Sequence, residues 1–350
     1  MCAPRALAFL LWVAACVAQL SPPARAQAAL LLQDADGTAE VLSPTGHESL
    51  YFARICAASP TKLRRCGPGE LGVEIGRHRG IAGYDWIAIP LIPYLYSVEE
   101  ASQVPAHVNR ETVQSLRMSY HDAHLMSLGN VPEGGGVHRG WNQLVGAAYE
   151  RRIWALRFET TEAQDDAFIA KMNAEANRSH FNIAFNNCAN FAGEALDFYF
   201  PHSFKRHILP YAGMVTPRQV AYELARYAKK HPEIHLTVME IPLVRGNRNS
   251  SRVGMSAAES LIVTGYVIPI AILSPYAAGV IAADDLVWGR YRLTLKNAPV
   301  LTPLTVAGSL ATPANRSGTN LAKSGSSSAQ AGQGADADMK GEAHDETDRR

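Results

Sequence analysis

Two cysteines, Cys56 and Cys66, stand ten positions apart around the turn-rich stretch SPTKLRRCGPG. Residues 48–56 and 70–77 carry strand patterns on either side of it. A disulfide between the two cysteines would staple these strands like a hairpin, which restricts how the chain can fold. Cys2 and Cys16 lie in the first 26 residues, so this pairing would leave Cys188 without a partner in the rest of the chain. A free thiol in an oxidising compartment needs a reason, and a role as a catalytic nucleophile is one.

The first 26 residues are typical of a signal peptide. Arg5 supplies a positive charge, residues 6–20 are apolar, and Ala24-Arg25-Ala26 is a small-x-small processing site. Residues 13–16 also resemble a lipoprotein processing box, with Cys16 as the lipidated residue, and the sequence leaves both alternatives open. In either case we expect an exported protein of the periplasm or cell envelope.

The composition allows a folded domain over residues 27–245. Of the 350 residues, 47% are apolar and 19% are charged, which is enough apolar surface for a packed core. The net charge of +1, without a basic block, argues against a nucleic-acid partner. Residues 314–350 are rich in Gly, Ser, Ala and charge, and this composition predicts a disordered tail.

Residues 246–313 are set apart by an uncharged apolar stretch at 261–283. Its 23 residues are long enough to cross a bilayer, and membrane helices tolerate its two prolines. The alternative is a buried pair of short elements within the globular domain. The first alternative predicts membrane contact or anchoring through residues 261–283, and the sequence does not choose between the two.

Mixed strand and helix patterns predict an α+β fold. The extended or strand-like runs are residues 48–56, 70–77, 85–97, 151–158 and 234–243. The helical runs are residues 110–126 after the cap Asn109, a helix after Thr160 or Thr161, residues 188–199 after the cap Asn187, and residues 217–230.

Cys188 combines nucleophilic chemistry with a favourable position. If Asn187 is the cap, the thiol lies in the first turn of its helix, where free N–H groups and the helix dipole favour a thiolate. The same amides could donate to an oxyanion. A thiol nucleophile needs a base, and His47, in a turn that leads directly into a strand, is the best-positioned histidine.

Three segments resemble a known family. They are Gly46-His47 followed by SLYF, then RRIWALRFETTEAQ, then FNNCANFAGEALDFYF. Together they resemble the circularly permuted branch of the papain-like, NlpC-type cysteine peptidases and amidases, and most closely the bacterial Lnb N-terminal periplasmic-type domains. The resemblance covers residues 45–201. It implies a permuted papain-like fold, in which an antiparallel sheet packs on the helix of the nucleophile.

The resemblance also implies site residues: Cys188 as nucleophile and His47 as base. A third polar residue orients the histidine in this superfamily, and Glu74 and His78 are the candidates, with Asp85 a weaker one. Asn187 matches the family's Asn-Cys dipeptide and is either an oxyanion donor or only the helix cap. We expect no metal and no cofactor.

These observations predict an exported thiol hydrolase or acyl-transfer enzyme that acts on an amide or ester of the cell envelope. The expected substrate is a peptidoglycan peptide, or alternatively a lipid acyl group. The other interpretation is a non-catalytic envelope binding or scaffold module that keeps a papain-like shape.

Overall fold

The computed structural model describes residues 25–35, 45–79, 81–129, 141–206, 213–246 and 267–284, together with 286, 293, 295 and 297–311. All of these belong to one compact unit. Most of the expected signal peptide, the first part of the apolar stretch and the expected disordered tail lie outside the described residues.

An antiparallel sheet of six strands organises the fold, in the order β6-β5-β2-β1-β7-β8. Its strands are β1 Arg25–Gln33, β2 His47–Phe52, β5 Val73–Gly76, β6 Ile87–Pro90, β7 Ile153–Thr161 and β8 Thr237–Ile241. A separate hairpin consists of β3 Ile55–Ser59 and β4 Lys62–Arg65. The fold is therefore mixed α+β with an antiparallel sheet, as the sequence predicts.

Some of the described α-helices pack on each face of the sheet. The described α-helices are α1 Leu91–Tyr96, α2 Arg110–Tyr120, α3 Trp141–Leu144, α4 Glu162–Ala174, α5 Cys188–Tyr199, α6 Pro217–Lys230, α7 Val267–Leu273, α8 Pro275–Asp284 and α9 Pro303–Ala311. On one face, hereafter the α5 face, β1 and β2 pack with α4, α5 and α6. On the other, hereafter the α1 face, they pack with α1, α2 and α9.

Strand β1 is central and buried on both faces. Residues 28–32 are all fully buried, which explains why this segment is a continuous apolar run instead of an alternating one. The strand begins at Arg25, so the processing site expected at Ala26 falls within its first two residues.

Three elements differ from the sequence predictions. The strand expected over residues 48–56 divides at residues 53–54 into β2 and the start of β3. Residues 85–97, expected to be extended, form β6 and then turn into the short helix α1, whose six residues are all buried. A fully apolar run has no polar positions to reveal a helical period, so periodicity could not identify it. The helix expected over residues 110–126 is regular only to Tyr120, although Asn109 caps it as predicted by accepting from the Thr112 N–H at 2.7 Å.

The described part of the apolar stretch forms two short helices, α7 and α8. Ser274 separates them, and its hydroxyl caps α8 by accepting from the Ala277 N–H at 3.2 Å. Ile272, Leu273 and Tyr276 are more than three-quarters exposed, so these elements are not the buried pair that the sequence also allowed. Among the described helices, none has both the length and the apolar character that a membrane span requires.

Candidate functional site

Helix α5 begins at Cys188 because Asn187 caps it. The Asn187 side chain accepts from the Asn190 N–H at 3.0 Å, and the Asn190 side-chain oxygen accepts from the Asn187 N–H at 3.1 Å. The Asn187 amide also donates to the carbonyl oxygens of Ile183 and Val215, at 2.8 and 3.0 Å. Both amide hydrogens are therefore used, which favours the cap over the oxyanion donor as the role of Asn187.

The Cys188 sulfur is buried between the start of α5 and the start of β2. Burial raises the pKa of the thiol to about 11. Hydrogen bonds from the backbone N–H groups of Glu48 and Ala189 and the charge of Arg151 act in the opposite direction, while the Glu48 carboxyl reinforces the increase. The helix start does favour the thiolate as expected, but the loss of solvation outweighs it, so the resting thiol is protonated at neutral pH.

His47 is the first residue of β2, and Gly46 directs it there. Gly46 has φ +89°, and a Cβ at this position would overlap the carbonyl oxygen of Gln33 on the neighbouring strand β1. Only glycine tolerates both the left-handed backbone and this close approach. The Gly-His dipeptide of the sequence is thus a turn that delivers the histidine to the end of the sheet.

His47, His78 and Glu74 form a buried cluster. The His47 and His78 rings lie 5.1 Å apart, and His78 Nε2 is 3.7 Å from Glu74 Oε1, an ion-pair distance longer than a hydrogen bond. A Cβ on Gly76 would lie 2.6 Å from this Glu74 oxygen and 3.1 Å from His78 Nε2, so glycine makes room for the pair. The structure thus brings together the base candidate and both candidates for the third residue.

The environment of this cluster opposes charge. Burial lowers the pKa of His47 well below its usual range, and the positive fields of His78 and Arg151 lower it further. Burial also raises the pKa of Glu74, against the hydrogen-bonding and electrostatic influence of His78. His47 is therefore a neutral imidazole at neutral pH.

Beside this cluster, hydrogen bonds join strands β2 and β1 to α1. Ser49 Oγ lies 3.0 Å from the Tyr94 hydroxyl, which also accepts from Gln33 Nε2 at 2.5 Å. Tyr94 belongs to α1, so the polar cluster is on the α1 face of the sheet.

Strand alternation separates Cys188 from the His47 ring. His47 shares its side of β2 with Tyr51, which packs on the α1 face, whereas Glu48 shares its side with Leu50, which packs against α5. The sulfur therefore meets β2 at the backbone and carboxyl of Glu48, one residue beyond His47. The two groups of candidate residues lie at the same end of the sheet, on opposite sides of it.

Arg77 ties the end of β5 to the start of α5. Its guanidinium binds Asp85 through two nitrogens, at 2.7 and 3.0 Å, and a third donates to the carbonyl oxygen of Asn187 at 3.3 Å. Asp85, the weaker candidate for the third catalytic residue, thus pairs with Arg77.

The cysteines pair as the sequence predicts. Cys56 in β3 is bonded to Cys66 just after β4, and Cys188 is free. A disulfide is typical of proteins that fold in an oxidising compartment, which agrees with export. A carboxylate oxygen of Glu70 lies within 4.8 Å of both bonded sulfurs, but a disulfide offers no thiolate to a metal.

Glu48 is the residue at this site that sequence reasoning missed. It is fully buried, and burial raises the pKa of its carboxyl well above the usual range. The sequence contained a signal, because the alternation of ESLYF puts Glu48 on the same side as Leu50 and Phe52, where a charged residue is out of place.

Comparison of the chain with known protein families, with curated proteins and with solved structures finds no match.

Proposed function

We propose that this protein is an exported thiol hydrolase or acyl-transfer enzyme, with Cys188 as its nucleophile and an amide or ester of the cell envelope as its substrate. One observation supports the proposal above all. At one end of the sheet, around the start of α5, buried polar atoms of His47, Glu48 and His78 lack hydrogen-bond partners within the described chain. Buried polar groups are nearly always satisfied elsewhere in proteins, and clusters of perturbed titratable groups are typical of active sites.

The chemistry would proceed through a thioester. The Cys188 sulfur attacks a carbonyl carbon, and the leaving amine or alcohol departs with the proton that the sulfur has lost. Water or an acceptor amine then releases the acyl group. The backbone N–H groups of Glu48 and Ala189 donate to the sulfur in the resting protein, and N–H groups at this helix start are also suited to a developing oxyanion.

A proton acceptor is needed because the resting thiol is protonated. Two buried groups at the start of β2 are available: the imidazole of His47, which the family resemblance favours, and the carboxyl of Glu48. In a permuted papain-like interpretation His47 is the base, and His78 and Glu74 orient it. The His47 ring would then have to turn around the end of β2 to reach the sulfur.

The substrate is an amide or ester, with a peptidoglycan peptide as our first expectation. One observation favours the alternative, a lipid acyl group. Ile183 and Phe185 are each more than half exposed, five and three residues before Cys188. Asn182 holds this turn by accepting from the backbone N–H groups of residues 184 and 185. Rigid, exposed apolar side chains next to a nucleophile would suit an acyl chain.

The burial of Cys188 favours a second candidate function, a non-catalytic envelope binding or scaffold module. The residue is only 8% exposed and its thiol is protonated at neutral pH, as in inert structural cysteines. This candidate predicts that no acyl group is transferred to the Cys188 sulfur.

Acyl transfer to Cys188 separates the two functions. The protein, purified without reductant, would be incubated with p-nitrophenyl acetate and p-nitrophenyl octanoate between pH 5 and 9. We expect p-nitrophenol release and an acyl adduct on Cys188 by mass spectrometry, both absent from Cys188→Ala. Faster reaction of the octanoyl ester would identify an apolar acyl site. Release of new amino groups from purified peptidoglycan would identify a peptide substrate. If wild type and Cys188→Ala release p-nitrophenol at the same rate and wild type carries no acyl adduct on Cys188, the enzyme proposal is overturned.

A further inference from the structure

Glu48 occupies an unusual position for a carboxylic acid. It lies in β2 on the α5 face, where its strand neighbours on the same side are Leu50 and Phe52, and it is fully buried. Neither of its carboxyl oxygens has a hydrogen-bond partner in the part of the chain that the structure describes. An apolar residue would satisfy the core at this position without desolvating a polar group.

Residues of α5, β1 and β5 surround Glu48. Cys188 approaches from α5, and its sulfur accepts from the Glu48 N–H. Leu32 is the cross-strand partner on β1. On β5, continuing the register of the strand pair brings Arg77 opposite Glu48, with its guanidinium bound to Asp85.

Arg151, before β7, is the remaining charged group near the thiol, and its positive field favours the thiolate. The Arg77–Asp85 pair is already neutral overall. The Glu48 carboxyl raises the pKa of the thiol through its charge and makes no hydrogen bond to the sulfur in the resting protein. It lies on the same face of the sheet as the thiol, whereas the His47 ring is on the other face.

We propose that Glu48 is the proton acceptor for Cys188 in the acyl transfer described above, an inference that rests on the proposed function. The Glu48 carboxylate takes the S–H proton as the sulfur bonds to the substrate carbonyl carbon, and then gives it to the leaving amine or alcohol. In the second half, it takes a proton from water as the water oxygen attacks the thioester, and returns this proton to the sulfur. The enzyme ends the cycle unchanged, with one amide or ester bond hydrolysed.

The opposite effects of burial on the two candidate bases support this assignment. Burial raises the pKa of the Glu48 carboxyl well above its usual range, which makes its carboxylate a stronger base than an exposed one. Burial lowers the pKa of His47 well below its usual range, which makes that imidazole a weaker base. A general base is most effective when its pKa lies near the working pH, and enzymes raise glutamate pKa values for this purpose.

The test is the pH profile of Cys188 acylation by p-nitrophenyl acetate. We expect the wild-type rate to rise with the ionisation of one group whose apparent pKa lies above that of an ordinary glutamate. Glu48→Gln should remove this rising limb of the pH profile and lower the acylation rate about 100-fold or more. Glu48→Asp should keep a limb with a shifted midpoint, and His47→Gln should keep the wild-type limb. Glu223→Gln, a buried carboxyl on α6, is the control for folding.

The outcomes distinguish this inference from the proposed function. If Glu48→Gln keeps both the rate and the limb while His47→Gln loses them, Glu48 is not the base but the thiol enzyme stands. If wild type never forms the Cys188 adduct, both fail. If Glu48→Gln does not fold, as judged by circular dichroism, the pH profile of Glu48→Asp decides. A shifted midpoint of its rising limb supports the inference, and an unchanged midpoint overturns it.

Discussion

Replacing Glu48 by Met should stabilise the protein at neutral pH. Glu48 is fully buried on an apolar side of β2, and its two carboxyl oxygens have no hydrogen-bond partner among the described residues. Leaving a buried polar group unsatisfied costs about 1–3 kcal/mol. Met has a similar length and a flexible thioether, so it should fill the same space without a cavity. We expect the free energy of unfolding at pH 7 to rise by about 1–3 kcal/mol.

The gain should depend on pH with a defined sign. Because burial raises the pKa of the Glu48 carboxyl, the folded protein keeps this proton at pH values where the unfolded chain has lost it. The stability contributed by the group is complete below the unfolded pKa and is lost as the pH rises through the folded pKa. Met has no proton to lose, so its advantage over wild type should be larger at pH 7 than at pH 4.

Urea unfolding at pH 4 and pH 7, followed by tryptophan fluorescence with the disulfide intact, measures both effects. Leu50→Met, on the same side of the same strand, is the matched control and should change the free energy of unfolding by less than about 1.5 kcal/mol. A Glu48→Met variant that is less stable than wild type at pH 7, or whose advantage is equal at both pH values, would refute this reasoning. Such a result would mean that the folded protein satisfies the carboxyl.

Three other changes test further parts of the structure. Gly76→Ala should lower the free energy of unfolding by about 1–3 kcal/mol in urea, since its methyl group would overlap the Glu74 carboxyl; an unchanged midpoint would contradict this crowding. Replacing Cys56 and Cys66 by Ser should cost about 2.7 kcal/mol for opening a ten-residue loop, again measured in urea, and a neutral effect would mean that the hairpin is held otherwise. Iodoacetamide should alkylate native Cys188 at pH 7 about 100-fold more slowly than the unfolded chain, because the pKa of about 11 lies two units above the ordinary value of 9.0. Equal rates, measured by quenched mass spectrometry, would show that the thiol is not buried in solution; slow alkylation remains compatible with catalysis by a base that acts only during attack.

Local signals in the sequence predicted the start of α5 well. Asn187 caps the helix, Cys188 is its first residue, and the helix ends at Tyr199. The same holds for α4, where Thr161, one of the two predicted caps, begins the helix and forms a capping box with Gln164. Caps depend on side chains within three or four residues of one another, so a single sequence contains the information that determines them.

The sequence did not show which face of β2 packs against the helix of the nucleophile. The strand pattern at residues 48–56 was recognisable, but which side of β2 meets α5 depends on packing between segments 140 residues apart. For this reason Glu48, whose backbone N–H donates to the Cys188 sulfur, was not recognised as a base candidate. Glu74 and His78, in contrast, were named because the family resemblance implies a third polar residue near the histidine, and the pairing of β2 with β5 brings both close to His47.

The apolar stretch at residues 261–283 shows the limit of reasoning from composition. Length and lack of charge allowed a membrane span, yet the described part divides at Ser274. Helix α7 ends before this residue, and the Ser274 hydroxyl caps the start of α8. A single hydroxyl with a following proline is enough to interrupt a helix, and hydropathy averages do not register it.

The central position of β1 has a consequence for biosynthesis. This strand pairs with β2, which follows it closely in the chain, and with β7, which follows much later. The register pairs Arg25 with Thr161, so this second pairing cannot form until β7 has been synthesised. A nascent chain that has not yet reached β7 holds an apolar strand with an unpaired edge, the kind of surface that associates with other chains. The sheet therefore closes late, and a truncation before Thr161 should yield aggregates instead of a smaller folded protein.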